Sequence, residues 1–194
     1  NVRKPIEDFA EYFESSRIRH RPEFRTGKPG PEAMAALRQA IMYQMCSLGA
    51  PMLYYGTEVG MWGANDPCDR QPMLWDDVQY DDERHSVDGL AARRPRAPDL
   101  ELRAFVKQAI ALRHQHAALR RGSLHWLKTG NDRVLAFERR LGAERIRAYF
   151  NVIGAAVTVP LKQTTRDLWV GGGSRVRGDV CIENKGWAII ALGR

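Results

Sequence analysis

The sequence has 194 residues, a formal net charge of +7 and 44% hydrophobic residues, room for one domain of average size with a smaller one beside it. No stretch approaches the roughly 18 uninterrupted apolar residues of a membrane-spanning helix, so no membrane partner is expected. The positive charge would suit a nucleic-acid binder, but the arginines are scattered (Arg17, Arg19, Arg21, Arg25; Arg93, Arg94, Arg96; Arg120, Arg121; Arg139, Arg140). No nucleic-acid-binding motif accompanies them, so they read as solvated surface with no nucleic-acid partner.

Asn1 to Gly30 is charged and broken by Pro5, Pro22 and Pro29, an extended loop with a turn of helix at Ile6 to Phe13. Pro31 to Ser47 reads as an amphipathic helix, with Pro at its first position and Met34, Leu37, Ile41, Met45 and Leu48 at spacings of three and four. Ala50 to Tyr55 is an almost uncharged run that predicts a strand buried on both faces, with Tyr54 and Tyr55 pointing opposite ways. Gly56, Gly60 and Gly63, then Asn65-Asp66-Pro67, bend the chain into a polar loop. A loop leaving the C-terminal end of a buried strand is where α/β proteins keep their sites.

Met61 to Pro98 is too long for a mere connection. Its acidic residues Asp76, Asp77, Asp81, Asp82 and Glu83 could offer oxygen ligands to calcium, but the spacing is not that of an EF-hand and no Gly supplies its turn. Calcium is possible but not indicated, and no metal site is assigned. Asp99 is placed to cap a helix with Leu102, Phe105, Val106, Ala109, Ile110 and Leu112 to Arg113 at helical period. His114 and His116, two apart, face different directions on a helix and cannot chelate together; they read as polar residues favouring its C-terminal dipole. Cys46, Cys68 and Cys181 are far apart, odd in number and without a C-x-x-C pair, which argues free thiols. From Gly122 the pattern becomes short alternating runs: Leu124 to Lys128, Val134 to Arg139, Arg145 to Asn151, Ala156 to Leu161, Asp167 to Val170, Val180 to Glu183 and Trp187 to Leu192. Such spacing predicts an antiparallel sandwich. Gly171-Gly172-Gly173 lacks the Lys-Ser/Thr of a phosphate loop and reads as a turn.

The stretch G-A-P-M-L-Y-Y-G-T-E-V-G-M-W-G-A-N-D-P-C-D-R-Q-P-M-L-W, Gly49 to Trp75, resembles the eighth strand and adjoining loop of the α-amylase family, glycoside hydrolase family 13, in its neopullulanase and cyclomaltodextrinase branch. Thr57 departs from a common Asp, and Cys68 shifts the usual acidic residue by one place. H-Q-H-A-A-L-R-R-G, His114 to Gly122, is similar to the family's end of the barrel, with Ala117 in place of Pro, and the segment from Gly122 to the C-terminus resembles domain C. The fold class this implies is α/β plus all-β: residues 1–117 as the C-terminal part of a (β/α)8 TIM barrel (loop after strand seven, helix seven, strand eight, long loop, helix eight), and residues 118–194 as an antiparallel β-sandwich. A whole barrel takes about 250 residues, so the chain is expected to be a piece of a longer enzyme.

The implied activity is retaining hydrolysis of α-glucans or maltooligosaccharides with no cofactor, which needs a carboxylate nucleophile and a carboxyl general acid. In the family these lie after strands four and five, with a stabilising Asp after strand seven. All three would precede Asn1, and the His-Asp pair that ends strand seven is not present. No residue is therefore assigned as catalytic, and the chain alone is expected to be inactive. Asp66 and Arg70 align with residues that hydrogen-bond glucose hydroxyls: a carboxylate accepts hydroxyl protons and a guanidinium donates in a fixed fork. A surface ion pair stiffening the loop is the plainer alternative. Trp62 could offer its ring to a sugar face or pack in a core. Supporting roles fall to Glu58, receiving backbone N–H groups, to Tyr54, and to Trp75 as an anchor under the loop. Expected partners are the glucan, the missing N-terminal part of the barrel, or a second copy. The alternatives are a non-catalytic carbohydrate-binding module and a transglycosylase or isomerase of the same family.

Overall fold

Pro31, whose fixed φ suits the first helical position, opens α1 (Pro31–Cys46), and Ile41, Met42, Met45 and Cys46 are buried along it. The computed structural model describes residues 29–62, 70–81, 83–84, 93–161 and 164–193. The expected N-terminal loop up to Lys28 lies outside them. The described residues form two compact units: those of Gly30–Leu53 with Glu101–Arg194, and those of Tyr54–Leu100.

In the first unit, α1 is joined by α2 (Leu100–Gln115) and the short α3 (Ala117–Arg121). Strands β3 (Ser123–Trp126), β4 (Val134–Leu141), β5 (Glu144–Asn151), β7 (Thr165–Gly171) and β10 (Trp187–Leu192) form an antiparallel sheet in the order β3-β4-β5-β10-β7. Strands β6 (Val157–Pro160), β8 (Arg175–Arg177) and β9 (Asp179–Ile182) make a second sheet, ordered β6-β9-β8. The seven runs read from alternation are all strands. The eighth, β8, carries one apolar residue between two arginines, too little alternation to register.

Because strand side chains alternate, the larger sheet serves two cores. Phe137, Ile146, Ala148, Phe150, Trp187 and Ile189 pack with the helices, while Val134, Ala136, Tyr149, Ala188 and Ile190 pack with Val157, Val159, Val180 and Ile182 of the smaller sheet. The unit is thus three layers, helices on sheet on sheet. Phe137 and Phe150, 0% and 1% exposed, stack with ring centroids 6.1 Å apart; burying such a ring contributes on the order of 1.5–3 kcal/mol.

Two arginines are buried, Arg113 and Arg139, and the second was expected at the surface. Helix ends leave carbonyls without intrahelical donors, and at the end of α1 Arg113 donates to the oxygens of Met45 (2.7 Å), Ser47 (3.1 Å) and Gly49 (2.6 Å). Arg139 donates to Cys46 (2.7 Å), Ser47 (2.6 Å) and Gly122 (2.8 Å). Positive charge at a helix C-terminus is favoured by the dipole. Gln39 of α1 donates to the oxygens of Asn151 (2.8 Å) and Gly186 (2.9 Å), fastening the helix layer to the sheet. His114 lies in the last turn of α2, and His116, next after its final residue, also precedes α3, where Glu144 accepts from the Ala118 N–H (2.7 Å) and meets His116 Nδ1 (2.7 Å).

The strand expected at Ala50 to Tyr55 is not formed. Residues 50–54 are irregular, Met52 is 78% exposed, and among the described residues none pairs with them. A strand exists only through a ladder partner, and apolar composition alone does not supply one. Leu48, expected on the buried helical face, lies past the end of the helix and is 58% exposed, and Ile110 of α2 is 36% exposed.

Candidate functional site

The second unit holds the loop singled out by the sequence. Gly56 and Gly60 take left-handed φ values of 85° and 68° on either side of a single 3-10 turn, Thr57–Val59. Glycine is required at the first: a Cβ on Gly56 would come within 2.4 Å of Met61 Sδ. The backbone closes on itself through Thr57 N–H to Tyr54 O (3.1 Å), Met61 N–H to Gly56 O (2.9 Å) and Asp99 N–H to Val59 O (2.9 Å). The turn is therefore fixed by main-chain bonds.

Trp62, half-buried, ends this turn, and Arg70, exposed, begins the return. Asp66, with Cys68, lies outside the described residues. The flanks are tied together: Tyr55 Oη donates to Gln71 O at 2.9 Å. Further on, Tyr80 Oη accepts from Trp75 N–H (2.7 Å) and donates to Met73 O (3.1 Å), with the Arg96 guanidinium 5.7 Å from the Tyr80 ring centre. β1 (Glu83–Arg84) pairs with β2 (Arg93–Arg94) in antiparallel register.

The structure places the three residues expected to support the loop. Tyr54 and Tyr55 do not separate to opposite faces: they are 52% and 42% exposed, with ring centroids 4.7 Å apart, because no strand forms there to alternate them. Glu58 is half-buried and receives no backbone N–H among the described residues, since the main chain has already satisfied the turn. Trp75 is 52% exposed, and its neighbour Leu74, 3% exposed, takes the buried position. Tyr55 and Tyr80 are the holding residues that sequence reasoning missed. Two tyrosines, each a few residues from the loop, carry no signal until their hydroxyls are placed. Asp76, Asp77 and Asp81 are exposed, and among the described residues no group of three or more His, Cys, Asp or Glu could hold a metal ion.

No model of a known protein family matches the chain. In sequence it is 34% identical over 131 residues to a cyclomaltodextrinase of Geobacillus thermopakistaniensis (strain MAS1), 66% of this chain and 19% of that protein. It is also 34% identical over 140 residues to neopullulanase 2 of Thermoactinomyces vulgaris, 72% of this chain and 20% of that one. The chain belongs to the α-amylase family, glycoside hydrolase family 13. It spans about a fifth of the length of these relatives. In structure it is similar to Eubacterium rectale Amy13B, with a TM-score of 0.68 over 86% of this chain and 36% of that one at 20% identity, a likeness of fold.

Proposed function

We propose that the chain is the C-terminal portion of an α-amylase-family glycosidase that hydrolyses α-glucosidic bonds in maltooligosaccharides with retention, and that it supplies one sugar-binding loop and domain C. The observation that carries this is the 34% identity to enzymes named cyclomaltodextrinase and neopullulanase. Asp66 and Arg70 are the sugar-binding pair of this reading, and Trp62 is its stacking ring. The tied flanks of the loop support it: donors and acceptors set to a sugar edge need a backbone that does not rearrange on binding.

Residues 1–117 are, in the same reading, the end of a barrel, and residues 118–194 domain C. A cavity of about 350 Å³ opens beside α1 and α2, lined by Met45, Pro51, Leu53 and Ile110 with Arg113, His114 and Arg120 at its polar side. With Leu48 and Met52 exposed as well, this is apolar surface of the kind that other protein covers; here it is the remainder of the barrel. The carboxylates of the reaction belong to that remainder, so the chain alone is inactive.

Maltotriose hydrolysis, measured for the 194-residue chain and for the longer enzyme carrying it, tests the proposal. The chain should show no turnover, and the longer enzyme should lose about 10- to 100-fold in kcat/KM with Asp66→Ala and Arg70→Ala together, the loss of one or two sugar hydrogen-bond pairs. Turnover by the chain, or a longer enzyme inert to α-glucans, would overturn it.

A further inference from the structure

At one end of the larger sheet, on the face that carries the inter-sheet core, the apolar residues give way to a charged cluster. The registers place His125 beside Glu138 and Glu138 beside Arg147, and one step along, Ser123 beside Arg140 and Arg140 beside Arg145. Directly paired residues share a face. Glu138 is 0% exposed and accepts from three guanidiniums: Arg140 Nε, Arg145 Nε (2.8 Å) and Nη2 (3.3 Å), and Arg147 Nε (2.7 Å). Three positive charges around one negative leave an excess of two.

The arginines reach the surface. Their side chains are 44%, 39% and 20% exposed for Arg140, Arg145 and Arg147, and Ser123 and His125 beside them are exposed too. Arg140 uses only its Nε on Glu138, and Arg145 its Nε and Nη2. Among the described residues, both terminal nitrogens of Arg140 and Nη1 of Arg145 are left for another acceptor. The acids nearby do not take them. Glu144 is engaged by His116 and Ala118, and Asp167 stands beyond Ile190 from Arg147, two strand spacings or about 10 Å away.

We propose that Arg140, Arg145 and Arg147, held in place by Glu138, bind a phosphate group at this end of the sheet. Guanidinium forks match the oxygens of a tetrahedral oxyanion, and a dianion neutralises the excess of two. Glu138 keeps three like charges together before the anion arrives. The phosphate is free or the terminal group of a monoester.

An amide-resolved NMR titration of the 194-residue chain, with inorganic phosphate in one arm and methyl phosphate in the other, at ionic strength held constant with chloride, tests this. Saturable shifts confined to residues 123–125 and 138–147 are expected in at least one arm, with a Kd on the order of 1 mM or tighter. Arg140→Gln with Arg145→Gln should weaken binding at least about 10-fold while leaving distant amides unmoved. If both arms fail to saturate, or the arginine variant binds as well as the parent, the proposal falls.

Discussion

Burial disfavours the ionised Glu138 carboxylate, and the hydrogen bonds from Arg145, Arg147 and Arg140 outweigh that, lowering its pKa from 4.5 to about 2. A group depressed in the folded state contributes stability that is complete above its unfolded pKa and is lost as pH falls through the folded one. Urea midpoints measured from pH 6 down to about pH 2 should therefore fall more steeply for the native chain than for Glu138→Gln, chiefly below pH 4.5; parallel curves would mean that the network carries no linked stability. Cys46 shows the opposite case. With 0% exposure, burial pushes its thiol up to about 12 against the lowering influence of Arg113 and Arg139, and since the thiolate is the reactive form, it should resist alkylation at pH 8. Peptide mass spectrometry after brief iodoacetamide treatment should find Cys181, which is partly exposed, labelled well before Cys46. Labelling of Cys46 at an equal rate would show that the α1 layer opens readily.

At the level of elements, the end of α1 depends on side chains remote in sequence. Arg139 reaches Cys46 O across 93 positions, which is why a strand reading E-R-R looked like solvated surface: the carbonyls that make its burial tolerable come from another part of the chain. Arg139→Met keeps the apolar stem but takes the side-chain donor from Cys46 O and Gly122 O, Ser47 O keeping Arg113, and should cost roughly 2–4 kcal/mol by urea denaturation, given about 1–3 kcal/mol for a buried group left unsatisfied. A cost below about 0.5 kcal/mol, the level of an ordinary surface change, would contradict the clamp. Gly122 is constrained by space and not by φ: an added Cβ would sit 2.5 Å from Ala118 O and 2.6 Å from Arg140 O, both backbone. Gly122→Ala should therefore destabilise by about 1–3 kcal/mol, as forced overpacking does. The two long helices and seven strands were legible because their apolar residues recur at 3.6 and 2.0; the five-residue α3 is too short to show a period. The run at Ala50 to Tyr55 has the composition of a strand, yet pairing is a property of neighbours, and periodicity cannot report a neighbour.

Over the whole molecule, the family was legible from one stretch, Gly49 to Trp75, because its glycines and polar residues stand in a spacing that few loops share. The arrangement holding that loop was not, since Tyr55 and Tyr80 act through hydroxyls whose partners are backbone atoms, and any tyrosine offers as much on paper. The exposed Leu48, Met52 and Ile110 bear on association. Light scattering on the chain at about 0.1 mM should show species larger than a monomer, given apolar surface of this kind; a clean monomer would mean these residues cover themselves in solution. The larger sheet also sets the order in which the molecule can be made. Its β10 is the latest of the sheet's strands in chain order, yet it lies between β5 and β7 and pairs with both. During synthesis, which proceeds from the N-terminus, β3, β4 and β5 can assemble as a meander while β7 has no place to dock and the smaller sheet has only part of its platform. A ribosome stalled before Trp187 would carry a nascent chain with both cores open, so the layers close together, only once β10 has emerged.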